Sequence, residues 1–210
     1  MTNLRLALTR YFHLLTVTLC LSLIQACSFL PKETSQTGEI YDWQTLEPQL
    51  RELNNWSLLG KIGIRTKDES ITAAINKWDQ TNEQFEIDLS STFFGLGSSK
   101  LIGNEHFLII YESGEEPISS NEPELLVESA LGIPLPIAHL TYWIKALPAQ
   151  NIAHKLKFND QGLPDSLRQD NWSIQFSDYH LDKKLPLPGK IKLQRDNIRI
   201  VLAVKEWNIH

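Results

Sequence analysis

Cysteine is almost missing from this 210-residue chain: Cys20 and Cys27 are the whole supply, and both lie in or beside the first apolar segment. That placement staples no folded domain, so a disulfide framework is excluded, and beyond Cys27 no thiol remains to act as a nucleophile. Positive charge is scarce too. Twenty Lys and Arg stand against twenty-five Asp and Glu, a formal charge of −5, and no basic run follows the first few residues, so nucleic acid finds nothing to bind. The six histidines are scattered with no metal-ligand spacing and no His-Glu-x-x-His, and His106, His139, His154, His180 and His210 read as lone surface residues. No Gly-x-Ser-x-Gly elbow exists, and no carboxylate sits where apolar neighbours would plainly raise its pKa. Gly95-Leu96-Gly97-Ser98-Ser99-Lys100 lacks the Walker spacing and precedes a strand, so no helix N-terminus would meet a phosphate. These absences count against an enzyme and call for no cofactor and no metal.

The N-terminus reads as an address. Arg5 and Arg10 precede an apolar run from Leu14 to Ile24, about eleven residues, too short to span a bilayer but suited to the core of a secretory signal. Ile24-Gln25-Ala26-Cys27-Ser28 follows, with an aliphatic residue three before a cysteine and a small one directly before it. This resembles the bacterial lipobox, in which the thiol is alkylated by a diacylglyceryl group, the signal is cut before the cysteine, and the new amine is acylated. The simpler alternative is a secreted protein with an inert thiol. Residues 28–39 are mostly polar and unpatterned, as a flexible tether requires. The expected division is therefore a cleaved signal 1–26, a lipidated tether 27–40 and one domain 41–210. Loss of residues 1–26 removes two positive charges and no negative ones, leaving −7, so membrane attachment is hydrophobic, through acyl chains. Ser28, in place of Asp, beside the anchor favours the outer membrane.

Beyond the tether the apolar period changes twice. Trp43, Leu46, Leu50 and Leu53 fall on one helical face, with Pro48 either kinking the helix or marking its first turn. Period two then takes over: Trp56, Leu58, Ile62 and Ile64 on one strand; Ile71, Ala73 and Ile75 on the next, with Trp78 on the opposite parity, which predicts a bulge; Phe85, Ile87 and Leu89; then Phe107, Ile109 and Tyr111. Pro117 ends this section. Asn121-Glu122-Pro123-Glu124 opens one helix that Gly132 stops, and Pro136 opens a second carrying Ile137, Leu140, Ile144 and Leu147 up to Pro148. Strands follow over 155–159, 166–169, 172–179, 190–194 and 198–207, with hairpin turns at Asp170-Asn171 and Asp196-Asn197. Roughly ten strands and three helices predict a mainly β, α+β fold: an antiparallel meander with too few helices to cover both faces, hence a sheet that curls. A curled sheet under helices encloses an apolar space walled by the inward parity.

Phe93-Phe94-Gly95-Leu96-Gly97 puts three large apolar side chains on a glycine-rich connection, where loops normally avoid them. They either tuck beneath the sheet as a satellite cluster or form an exposed hydrophobic tip for membrane or partner.

Taken with the lipobox, an ordered set of short motifs resembles the LolB family of outer-membrane lipoprotein receptors. Its carriers are Gly60-Lys61-Ile62-Gly63-Ile64, Trp78-Asp79-Gln80, Leu96-Gly97-Ser98, Gly132-Ile133-Pro134-Leu135-Pro136, Leu140-Thr141-Tyr142-Trp143-Ile144, Leu147-Pro148 and Trp207. The resemblance implies an incomplete β-barrel covered by an α-helical lid, lipid-anchored at Cys27 and facing the periplasm of a Gram-negative bacterium. It also implies a monomer that takes acylated lipoproteins from a LolA-like carrier and inserts them into the outer membrane. Leu96 would occupy the family's protruding hydrophobic loop, with Phe93 and Phe94 beside it where the family has a shorter, proline-containing loop. The acyl cavity would be lined by Trp56, Leu58, Ile62, Ile64, Trp78, Phe85, Ile87, Leu89 and Trp172, residues that an ordinary packed core would equally explain. Two rivals follow from the same residues: a soluble LolA-like periplasmic carrier, and a structural envelope lipoprotein with a filled core.

Overall fold

The computed structural model describes residues 39–90 and 97–210. Its centre is one antiparallel sheet of eleven strands among the described residues. The first section runs Asn55–Arg65 (β1), Ser70–Thr81 (β2), Gln84–Ser90 (β3), Ser98–Gly103 (β4), Leu108–Glu112 (β5) and Ile118–Ser120 (β6). The second runs His154–Phe158 (β7), Pro164–Gln169 (β8), Trp172–Ser177 (β9), Lys190–Arg195 (β10) and Ile198–Ile209 (β11). Three short helices complete it: Trp43–Glu52 (α1), Pro123–Leu131 (α2) and Ile137–Trp143 (α3).

Spatial order is β6-β5-β4-β3-β2-β1-β11-β10-β9-β8-β7. Each section is a meander of sequence neighbours, as antiparallel strands allow, with the longer connection 178–189 between β9 and β10. The first and last strands therefore meet in the middle, and the chain must travel from the β6 edge to the β7 edge. It does so over one face, and α2 and α3 lie on that path. The same face carries the apolar parity of every long strand, so the crossing segment and α1 cover it in one continuous core. The opposite face is charged: Lys100 bridges Glu86 at 2.7 Å and Asp88 at 3.3 Å, and Lys77 pairs with Asp79.

The expected curl into an incomplete barrel is corrected here. The sheet is open, with β6 and β7 at its two ends and no pairing between them. Closure needs edges long enough to pair in a consistent stagger, and these edges are only three and five residues long. The chain covers its apolar face with the crossing segment instead.

The bulge expected in β2 is present, and a second one matches it. Leu58 pairs with Trp78 while Gly60 pairs with Ile75, so β2 carries an extra residue opposite β1. On the other side Leu59 pairs with Glu206 while Gly60 pairs with Val204, so β11 carries one too. β1 keeps its parity throughout; β2 and β11 switch theirs, which turns Trp78 and Trp207 to the core side. They flank Trp56 with ring centroids 5.8 and 5.2 Å away, and the Trp207 indole donates to the Pro188 carbonyl at 2.9 Å. Gly60 sits at the pinch. A Cβ there would lie 2.4 Å from the Ala203 carbonyl oxygen.

Local chemistry accounts for the helices. Asp42 caps α1, its carboxylate accepting from the Gln44 amide at 3.3 Å and the Thr45 hydroxyl at 2.6 Å. Pro48 lies inside α1, which runs on to Glu52 nevertheless, and Leu46 and Leu50 are buried. In α2 Pro123 stands in the first turn and Gly132 closes the helix at φ 67°; the cap position is Glu122, not Asn121. α3 stops at Trp143, short of the expected Leu147, because Ala146 takes φ 59° and the Leu147 amide bonds the Tyr142 carbonyl at 3.1 Å. β5 reverses the expected parity: Leu108 and Ile110 are buried and Tyr111 is exposed.

Replacing Gly60 with alanine pushes a methyl group into backbone that cannot yield. Overpacking of this kind costs about 1–3 kcal/mol, so Gly60→Ala is expected to lower the urea midpoint with an unchanged slope. A midpoint equal to wild type would show that the β1–β11 seam can open to admit the side chain.

Candidate functional site

A group of polar side chains lies under α3, at the end of the sheet where β2 turns into β3. A pocket of about 390 Å³ opens there, bounded by the end of α1, the β2–β3 turn, the β4–β5 turn and the inner face of α3. Trp56 and Phe85 form its apolar floor. Arg51, Lys145, Glu83 and Glu105 line it as well.

Lys145 is the unusual member. Only 5% exposed, it follows α3 in an apolar stretch and its ammonium donates to the Leu53 carbonyl at 2.9 Å. Among the described residues no carboxylate lies within salt-bridge distance of it, and the nearby Arg51 guanidinium is held by Glu47 at 2.6 Å. Burial first, and repulsion from Arg51 second, pull the ammonium down to about 8. Gln80 faces the same pocket from β2. Its amide nitrogen donates to the Asn82 carbonyl at 2.8 Å, while its buried carbonyl oxygen has no partner. Two residues back on the same face of β2, the buried Trp78 indole nitrogen is unpartnered too.

The contacts that flank Lys145 in sequence, at Trp143 and Ala149, are built the opposite way. Gln169 on β8, 3% exposed, uses every group it has. Its oxygen accepts from the Trp143 indole at 2.9 Å and the Ala149 amide at 2.8 Å, and its nitrogen donates to the Ala149 and Ile152 carbonyls at 2.9 and 3.2 Å. This fixes the end of α3 and the loop after it to the sheet.

Of the residues singled out from sequence, Cys27, Phe93, Phe94 and Leu96 lie outside the described residues. Trp56, Leu58, Ile64, Trp78, Phe85, Leu89 and Trp172 are buried on the core side, and Ile62 and Ile87 are partly buried against it. Trp56 and Phe85 line the pocket under α3, and Trp172 lines a second depression of about 510 Å³ beside the β8–β9 hairpin. The remainder pack within the core. Sequence reasoning missed Lys145, Gln80 and Gln169. Lys145 is the lone charge in Trp143-Ile144-Lys145-Ala146-Leu147, and Gln80 follows Trp78 on the switched parity; both signals were available.

Residues 54–207 match the family model described as outer membrane lipoprotein LolB. The outer-membrane lipoprotein LolB of Marinobacter nauticus is 32% identical over 201 residues, spanning 93% of this chain and 97% of that one. The LolB of Cellvibrio japonicus is 34% identical over 173 residues, 80% of this chain and 84% of that one. In three dimensions the chain is similar to a LolA superfamily protein from Nitrosomonas europaea, at TM-score 0.52 and 9% identity over 80% of this chain and 93% of that one. A putative outer membrane lipoprotein-sorting protein domain from Vibrio parahaemolyticus gives TM-score 0.52 at 7% identity over 80% and 90%. These two likenesses speak for the fold alone.

The Lys145 environment fixes the sign of a pH effect. The folded chain holds this proton less tightly than the unfolded one, so unfolding takes up a proton between pH 8 and the ordinary lysine value of 10.5. The penalty of burying the charge is full below pH 8 and fades as pH rises to 10.5. That displacement corresponds to about 3 kcal/mol. Urea melts of wild type and Lys145→Met at pH 7 and pH 10.5 are expected to show the difference moving in favour of wild type by roughly that amount. A difference that stays constant with pH would mean the ammonium is solvated.

Proposed function

Because the chain belongs to the LolB family, we propose that it is an outer-membrane lipoprotein that receives acylated lipoproteins from a LolA-like carrier and inserts them into the outer membrane. The match of residues 54–207 to the family, with relatives aligned over most of their length, carries this reading. No bond is made or broken in the process; it is transfer between binding sites.

The physical need is plain. An acyl chain crossing water would cost on the order of 10 kcal/mol, at about 0.8 kcal/mol per CH₂. The receiving protein must therefore offer apolar surface at each moment of transfer. Here that surface is the core side of the sheet, where Trp56, Leu58, Ile62, Ile64, Trp78, Phe85, Ile87, Leu89 and Trp172 lie beneath or beside the crossing segment. These side chains pack against one another, so room for fatty chains comes from displacing α2 and α3, which act as a lid. With no nucleotide motif to drive it, delivery runs downhill from carrier to receptor to bilayer.

The remaining parts of the mechanism follow from the family resemblance and the N-terminal sequence. Residues 1–26 are the signal, Cys27 carries the acyl anchor, and residues 27–40 tether the domain 41–210 to the periplasmic face of the outer membrane. Phe93, Phe94 and Leu96 enter the leaflet and promote release of the cargo. A chain acting as a free periplasmic carrier would differ in one respect, the absence of the anchor.

Two measurements test this. Mass spectrometry of the mature N-terminus is expected to find Cys27 triacylated; a bare N-terminus would assign the chain to the free carriers. In transfer from a carrier loaded with acylated lipoprotein to liposomes, Leu96→Glu is expected to leave uptake from the carrier near wild type and slow delivery about tenfold or more, the charge opposing entry into the leaflet. Delivery at the wild-type rate would remove the loop from the mechanism, and failure of the wild-type chain to take up cargo would remove the function itself.

A further inference from the structure

The pocket under α3 holds buried polar groups with unused bonding capacity above a floor of Trp56 and Phe85. Lys145 has three N–H bonds and uses one, on Leu53. The Gln80 oxygen is buried and unused. A buried acceptor left unpaired is costly, and a buried lysine without a counter-charge more so. The fold shows at Gln169 that it satisfies a buried amide completely when the role is structural. At Lys145 and Gln80 it does not.

The unused groups specify a ligand. Lys145 asks for acceptor oxygens, and Gln80 asks for an N–H. Arg51 is already held by Glu47, so Lys145 and Gln80 are the groups left to meet a ligand. A phosphodiester offers acceptor oxygens but no N–H for Gln80. Ester carbonyls and an amide joined in one small group supply both, and a pocket of about 390 Å³ fits a group of that size. Resting on the receptor function above, we propose that this pocket binds the polar head of the cargo's acylated cysteine, Lys145 donating to its ester carbonyls and Gln80 accepting from its amide N–H. The head is then held at the end of the sheet, on the Trp56 and Phe85 floor, while the fatty chains run inward along the sheet under the lid. Binding here also supplies partners to the unused groups of Lys145 and Gln80.

The test uses the full chain in a short-chain detergent and three probes: a peptide beginning with N-acyl-S-diacylglyceryl-cysteine, its ether-linked analogue lacking the ester carbonyls, and lysophosphatidylglycerol. Binding is followed by tryptophan fluorescence. The wild-type chain is expected to bind the diester peptide at least tenfold more tightly than the ether analogue, a comparison that needs no variant. Lys145→Met is expected to remove that preference, weakening the diester and leaving the ether unchanged; Gln80→Leu is expected to weaken both peptides alike, because both keep the amide. Equal affinity of the wild type for the two peptides overturns the proposal while leaving the receptor function standing. So does a loss in Lys145→Met that is the same for both, or a Lys145 dependence confined to the lysophospholipid. Failure of the wild type to bind either peptide overturns the proposal and the receptor function together.

Discussion

Beside residue 60 the backbones of β1 and β11 approach so closely that no side chain fits between them, and on either side of this point a neighbouring strand takes in one residue more than β1 supplies. The arrangement depends on glycine. It also pins register, since sliding either neighbour by one residue would turn Trp78 or Trp207 to the charged face and strand Trp56 without its partners. From this pinch the apolar side of the sheet is fixed along its full width, and with it the side that the crossing segment must cover. The one-sided core and the position of the helices follow from which way these tryptophans point.

Just after α3 the crossing segment makes two contacts of opposite character. Gln169 closes four hydrogen bonds and leaves nothing unmet, a joint of the kind that rigidifies. Lys145, at the other contact, holds the Leu53 carbonyl with one bond and carries a charge the surroundings do not balance.

Much of this was legible in the chain itself. Strands with one clean apolar parity, such as Trp56 to Ile64 and Ile198 to Val204, were read as they stand, and the change of parity between Ile75 and Trp78 announced its bulge. Caps with local chemistry, Pro123 and Gly132, were equally clear. Four features escaped for identifiable reasons. In Phe107-Leu108-Ile109-Ile110-Tyr111 both parities are apolar, so alternation cannot say which is inward. The three-residue β6 is too short to show a period. The end of α3 turns on a positive φ at Ala146, a residue with no local preference for it. The open sheet overturned the curl because one crossing connection covers the face that curling was invoked to bury. At the site, attention to apolar walls concealed the two polar side chains standing among them, since Lys145 and Gln80 gain meaning only when α3 is laid over the end of β2.

The seam in the middle of the sheet joins residues 56–65 to residues 199–209, the two ends of the domain. Each meander is held by local hairpins and can form as its residues appear, but the halves remain separate sheets with bare inner edges until the final strand arrives. A chain threaded across the inner membrane from its N-terminus exports that strand last. Until export is complete β1 offers an unpaired edge to any strand that reaches it first, and the domain's most aggregation-exposed moment falls before its last dozen residues emerge. Loss of even a short C-terminal segment therefore splits the sheet down its centre, where trimming the β6 or β7 edge would only narrow it.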